Sequence, residues 1–255
     1  MIVDDEGRPV ATPDRVRRVV SIVPSLTEAV ALTDQALLVG ATDWCTHPLD
    51  LDVERVRGTK NPDITAVVAL RPDLVVANQE ENRPVDLDAL RAAGVPVYVT
   101  DIRTLDDAPH GAFSSLGRML AACGLERPAW LAEAQRAWAA VVEPAVRRRA
   151  VVPIWRRPWM TLSGGTYGSS LLARVGIANA FADAAIRYPE VTLDDVAARR
   201  PDLVLLPTEP YPFKDRHRAD FDGLAPAQLV DGQDLFWWGT RTPAALARLA
   251  RELAS

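Results

Sequence analysis

Apolar residues along this chain fall into two kinds of run. Short runs at Val19 to Val23, Leu74 to Ala77, Trp159 to Leu162 and Leu203 to Leu206 have the length and apolar character of buried strands. Over Ile64 to Leu70 and Leu193 to Arg199 the pattern is helical instead. A strand leading through a turn into a helix N-terminus reads at Val19 to Val23 before Pro24-Ser-Leu-Thr-Glu28, and again at Trp159 to Leu162 before Ser163-Gly-Gly-Thr-Tyr167. The helix after each is expected to end near a glycine, Gly40 and Gly176, as a C-terminal cap. The pentapeptide Arg71-Pro-Asp-Leu-Val75 recurs 129 residues later as Arg200-Pro-Asp-Leu-Val204, each time between a helical pattern and a strand. The repeat predicts two similar α/β lobes, each a small parallel sheet with crossover helices.

Residues 104–149 carry no strand signal, and their Ala, Leu, Glu and Arg content favours helix. Pro128 suits a first helical turn, and Trp130, Ala134, Ala137, Trp138, Val141 and Val142 fall on one face of a helix running to about residue 147, kinked or ended by Pro144. The expected organisation is an N-terminal α/β lobe over 1–108, a helical connection over 109–149 with one long bridging helix, and a C-terminal α/β lobe over 150–255. A ligand cleft is expected between the lobes, because ligands gather at the carboxyl ends of parallel strands. The loops after Val23, Val39, Ala77, Ile154, Leu162 and Leu206 would face it.

With 48% apolar and 25% charged residues in 255, the composition is that of an ordinary globular protein. A formal charge of −5 supplies no field to attract nucleic acid or an anionic membrane surface, and no apolar run is long enough for membrane insertion. Cys45 and Cys123 lack any paired metal or redox spacing. The first fourteen residues carry Asp4, Asp5, Glu6 and Asp14 without the basic start and apolar stretch of an export signal. The expectation is a cytoplasmic protein as encoded, or a protein of the cell envelope if the true start lies upstream.

Chemistry concentrates in the connections. Trp44, Trp155, Trp159, Trp237 and Trp238 sit in or beside them, where large flat rings need either a core or a ligand to cover them. Asn78-Gln-Glu-Glu-Asn82 offers amides and carboxylates at a strand exit, as ligand contacts or as a solvated loop. His47 is the histidine in an expected cleft loop, able to serve as a single axial ligand to a metal inside a bound cofactor but not to build a closed metal site alone. Ser163-Gly-Gly-Thr-Tyr-Gly168 lacks the lysine and spacing of a phosphate loop, and no nucleophile elbow is present. No catalytic residues and no enzyme activity are expected.

Val19-Val-Ser-Ile-Val-Pro-Ser-Leu-Thr-Glu28, Val39-Gly-Ala-Thr-Asp-Trp44, Val68-Ala-Leu-Arg-Pro-Asp-Leu-Val75 and Arg200-Pro-Asp-Leu-Val204 resemble the helical-backbone (class III) substrate-binding proteins of ABC importers, most closely the cobalamin-binding branch. The resemblance covers nearly the whole chain and implies two lobes joined by one long helix. It implies capture of a corrinoid, cobalamin or cobinamide-like, or a similar flat metal chelate, for transport, storage or delivery, with no cofactor of the protein's own. By position, the family's sandwiching aromatics fall on Trp44, Tyr188 and Trp237, with Trp155 near another, while Asn78 replaces a family tryptophan. His47, Gln79 and Glu80 complete the expected ligand contacts. Permease docking through one acidic residue per lobe falls on Asp194 and, in the first lobe, near Thr65 with Asp63 close by. An ABC permease is thus an expected partner of a monomeric receptor. The alternatives are an iron-siderophore or haem receptor, or a corrinoid-modifying enzyme using Glu80 or His47 as acid or base.

Overall fold

A computed structural model describes residues 2–105, 110–142 and 144–253. They divide into two compact units, one within 1–102 and 106–135 and the other within 103–105 and 136–255. The expected lobe boundary at 108/109 lies outside the described residues.

The first unit opens with an antiparallel hairpin, β1 (Ile2–Val3) and β2 (Pro9–Val10). There follow β3 (Val19–Ser21), α1 (Pro24–Asp34), β4 (Leu38–Ala41), β5 (Glu54–Arg55), the hairpin β6 (Arg57–Gly58) and β7 (Asn61–Pro62), α2 (Ile64–Ala69), β8 (Leu74–Asn78), α3 (Pro84–Ala92), β9 (Val97–Thr100), α4 (Ala112–Ala122) and α5 (Ala129–Ala139). Strands β5-β4-β3-β8-β9 form one parallel sheet. Every residue of β8 and β9 is buried, as expected of parallel strands covered on both faces. One face packs Val20, Ile22, Val75, Val97 and Val99 against Val67 of α2 and Leu87 and Leu90 of α3.

The second unit contains β10 (Arg148–Val151), β11 (Pro153–Trp155), β12 (Trp159–Thr161), α6 (Tyr167–Ala173), β13 (Ile177–Asn179), β14 (Glu190–Val191), α7 (Leu193–Ala198), β15 (Leu203–Pro207), β16 (Ala227–Val230), α8 (Gly232–Phe236) and α9 (Thr242–Glu252). Its parallel sheet runs β13-β10-β15-β16, and β11-β12-β14 make a separate antiparallel sheet. The Trp159 strand, expected to open the second parallel sheet, is therefore in the antiparallel one. β10 takes its place, hidden from hydropathy because it begins with two arginines.

The repeated pentapeptide has a geometric meaning. Arg71 and Arg200 both take φ 46°, turning the chain from helix into strand. Asp73 Oδ2 accepts the N–H groups of Arg17 and Arg18 at 2.7 and 3.0 Å, and Asp202 Oδ2 accepts that of Arg149 at 2.8 Å. Asp73 and Asp202 each return an N–H, at 2.8 Å, to the carbonyls of Arg18 and Arg149. The guanidiniums of Arg18 and Arg149 reach the carbonyls of Leu70 and Arg199 at the ends of α2 and α7. The motif thus locks each inner strand to the preceding strand and helix.

Two helix expectations change. Gly176 follows α6 with φ 76°, as a cap should, but α1 ends at Asp34 and Gly40 lies inside β4. A Cβ there would stand 2.6 Å from Leu70 Cδ1 and 3.2 Å from Val20 Cγ2, so this glycine serves packing within the sheet and not a cap. The helix expected to run from 128 to about 147 stops at Ala139, and the division between units falls inside it, after Gln135. Its buried side chains are Leu131, Ala134 and Trp138, while Val142 is exposed. β-Branched Val141 and Val142 and the missing N–H of Pro144 explain the early end.

Candidate functional site

Parallel sheets present ligands to the loops leaving their carboxyl ends. In the first unit β4 exits into residues 42–53, a stretch without regular secondary structure. Cys45 and Leu51 are buried there, whereas Trp44 is 66% and Leu49 89% exposed. His47 is half-buried in the same loop. Trp44 lies against the β6–β7 hairpin, where a Cβ on Gly58 would meet its Nε1 at 3.4 Å and collide with the Asn61 side chain.

β8 exits through Asn78, which is turned inward. Its Nδ2 donates to the carbonyl and hydroxyl oxygens of Thr100 at 3.1 and 3.0 Å. Its Oδ1 accepts the N–H groups of Glu80 and Glu81, and its own N–H donates to Asn82 Oδ1 at 2.9 Å. Asn82 Nδ2 then donates to the carbonyls of Ile22 and Thr59. This corrects the ligand role expected of Asn78: it is 1% exposed, its amide is spent internally, and it locks the loop. Gln79 is exposed and Glu80 half-buried beside it. The Lys60 ammonium donates to the Glu80 carbonyl. Burial pushes the Glu81 carboxyl above the usual range, opposed by Lys60 and assisted by Glu80.

In the second unit Trp155 ends β11 at 44% exposure, edge-on to Tyr211 with ring centroids 5.6 Å apart and an interplanar angle of 77°. Tyr211, half-buried in the loop after β15, does not stand out in the sequence because that loop reads as polar; the signal was Tyr211-Pro-Phe213 in a strand-exit loop, beginning four residues past Pro207. Tyr211 packs on Phe213 at 4.6 Å, and Phe213 stacks on Trp159 at 6.2 Å, so Trp159 belongs to the packing beneath. Arg156 pairs twice with the Asp220 carboxylate, at 2.9 and 3.0 Å. His217 is buried under this cluster and its Nδ1 accepts the Lys214 N–H at 2.9 Å. Burial, with Arg216, Arg156 and Lys214 adding their charge, holds its pKa below the usual value.

Trp237 differs from the open ring expected. It is 6% exposed, its Nε1 donates to Glu209 Oε1, and the Arg241 guanidinium lies 5.1 Å from its ring centroid. Arg241 also donates to Gln233 Oε1 at 3.1 Å. α8 reaches this corner because residue 232 is glycine: a Cβ there would sit 2.6 Å from the Glu209 nitrogen. Tyr188 is half-buried between β13 and β14.

The two expected docking residues sit on equivalent helices. Asp63 caps α2, accepting the Ala66 N–H at 3.0 Å, and pairs with Arg57 Nε at 3.4 Å. Thr65 and Asp194 are each the second residue of their helix, α2 and α7, and both are exposed. Asp195 beside Asp194 forms a capping box with Thr192, whose N–H and hydroxyl hold the Asp195 carboxyl below its ordinary pKa. Among the described residues no helix is long and apolar enough to cross a membrane, and no group of three or more His, Cys, Asp and Glu is placed to hold a metal ion.

The vitamin B12-binding protein of Vibrio parahaemolyticus is 26% identical over 215 residues, 82% of this chain and 74% of the relative. Among solved structures, the periplasmic vitamin B12-binding protein BtuF of Vibrio cholerae matches with TM-score 0.69 at 23% identity, over 95% of this chain and 98% of that one. The periplasmic haem-binding protein RhuT from Roseiflexus sp. RS-1 matches with TM-score 0.72 at 22% identity, over 92% and 97%. The family model for periplasmic binding proteins matches residues 19–216, a span that takes in both pentapeptides and the strand exits bearing Trp44, Trp155 and Tyr211. The chain belongs to the periplasmic binding protein family.

Proposed function

We propose that this protein captures a corrinoid, with Trp44 of the first unit and the Trp155–Tyr211 pair of the second as its aromatic contacts. The observation that carries the proposal is Trp44, an indole left 66% exposed at the carboxyl edge of a parallel sheet. Covering such a ring with a flat ligand is worth roughly 2 kcal/mol of apolar burial, with about 1 kcal/mol more from stacking. The vitamin B12-binding name of the Vibrio parahaemolyticus relative supports the corrin reading. A corrin is an apolar ring fringed with amides. Gln79 offers an amide to that fringe, and Glu80 and Glu209 offer carboxylate acceptors at strand exits.

Haem is the second reading, favoured by the haem-binding protein among the structural matches. The Gln79 amide can both donate to and accept from the neutral amides of a corrin, whereas haem's two propionates only accept, so amide-bearing corrinoids should bind more tightly. Delivery to an ABC permease would use the exposed Asp194 and the Asp63–Thr65 corner as acidic contacts for permease arginines.

Titration of the purified protein with cobinamide, cyanocobalamin and haem, followed by absorbance and tryptophan fluorescence, tests the reading. The expected result is one-to-one binding of a corrinoid, recovered chemically unchanged, with haem weaker. Haem binding more tightly than both corrinoids, no corrinoid binding, or a converted corrinoid would overturn it.

A further inference from the structure

Residues 42–53 leave β4 and return at β5 without forming a ladder; turns inside the loop pair the carbonyls of Thr42, Trp44 and Pro48 with the N–H groups of Cys45, Thr46 and Leu51. Arg55, on β5, ties these turns to the sheet. Its Nη1 donates to the carbonyls of Thr42 at 3.1 Å and Cys45 at 3.0 Å, and its Nη2 donates to that of Leu51 at 3.0 Å. The loop is also tied to α1, where the Thr27 hydroxyl donates to the buried Cys45 Sγ at 3.0 Å. Its polar backbone and two of its apolar side chains, Cys45 and Leu51, are thus drawn inward, and Trp44 and Leu49 are left facing water.

We propose that Arg55 is a positioning residue for ligand recognition, holding the 42–53 loop as a preformed platform that presents Trp44, with His47 beside it, to the flat face of the ligand. The proposal rests on Trp44 being a ligand contact, as argued above. A guanidinium suits the task because its planar fork of donors serves several carbonyls at once, whereas the compact ammonium of lysine cannot span them in the same geometry. A loop already ordered loses less freedom on binding than one that must be ordered by the ligand.

The test combines cyanocobalamin titration of wild type, Arg55→Met, Trp44→Ala and the double variant with hydrogen exchange of the unliganded proteins. Arg55→Met should weaken binding by about five- to tenfold in the wild-type background and add little in the Trp44→Ala background, because the arginine acts through the ring. Amides of 42–53 should exchange faster in Arg55→Met while the rest of the first unit is unchanged. Arg55→Lys should fall between wild type and Arg55→Met in both measurements, and it decides the matter if Arg55→Met unfolds the unit. An equal loss of affinity in both backgrounds, or unchanged exchange of 42–53, overturns the proposal. If wild type binds no corrinoid, the functional reading fails while the exchange experiment still judges the platform.

Discussion

Trp44→Ala removes a ring that already stands in water, so thermal unfolding should barely move while corrinoid affinity falls about tenfold or more. Trp237→Ala removes a covered ring and the N–H that the Glu209 carboxylate accepts, and takes away the surface on which Arg241 rests. Its cost should be about 3–5 kcal/mol in urea unfolding. Asn78→Ala should cost about 2–3 kcal/mol by the same measurement, since one side chain joins Thr100 to the turn at Glu80 and Glu81. His217 provides a pH test. Its pKa is lowered in the folded protein, so the unfolded chain takes up the proton first as pH falls. The histidine has no effect well above its unfolded pKa of about 6.5; stability then declines below that value until the folded pKa is reached. His217→Gln should make the loss of stability between about pH 7.5 and pH 5 smaller than in wild type.

At the scale of elements, the twin pentapeptides do the same work in both sheets. A side chain at φ 46° is strained where glycine is not, and β-branching makes the strain worse. Arg71→Val and Arg200→Val should therefore be less stable than Arg71→Gly and Arg200→Gly by about 1–2 kcal/mol, measured by urea unfolding. These turns and the apolar β8 and β15 were legible in the chain because turn chemistry and strand burial are local. The first strand of the second sheet was not. Arg148 and Arg149 make β10 look like surface, yet Arg149 spends its guanidinium on the Arg199 carbonyl while Ala150 and Val151 pair with β15. Likewise the helix pattern extended past Ala139 on paper because periodicity does not register where β-branching and a proline end a helix.

For the whole molecule, a ligand that binds only the folded state raises its stability by about 2.7 kcal/mol at a hundredfold excess over Kd. Cyanocobalamin at such an excess should raise the melting temperature of wild type, and both Trp44→Ala and Trp155→Ala should diminish the rise at the same ligand concentration. Loss of the effect through Trp44 alone would confine the aromatic contacts to the first unit.

Hydropathy, turn residues and a repeated pentapeptide sufficed to establish an α/β chain of two related units, because each is a pattern among near neighbours. The loop leaving β4 was also located in this way, and with it Trp44; Trp155, expected at a parallel-strand exit, ends β11 of the antiparallel sheet. Which aromatic rings stay open was decided by packing: Trp237 is covered by Glu209 and Arg241, while Trp44, beside the β6–β7 hairpin, stays 66% exposed. The same holds for Asn78, drawn inward by Thr100 from the neighbouring strand, and for Arg55, whose carbonyl partners lie up to thirteen residues away. Burial and hydrogen bonding of a side chain depend on groups brought near by the fold, and no local pattern records them.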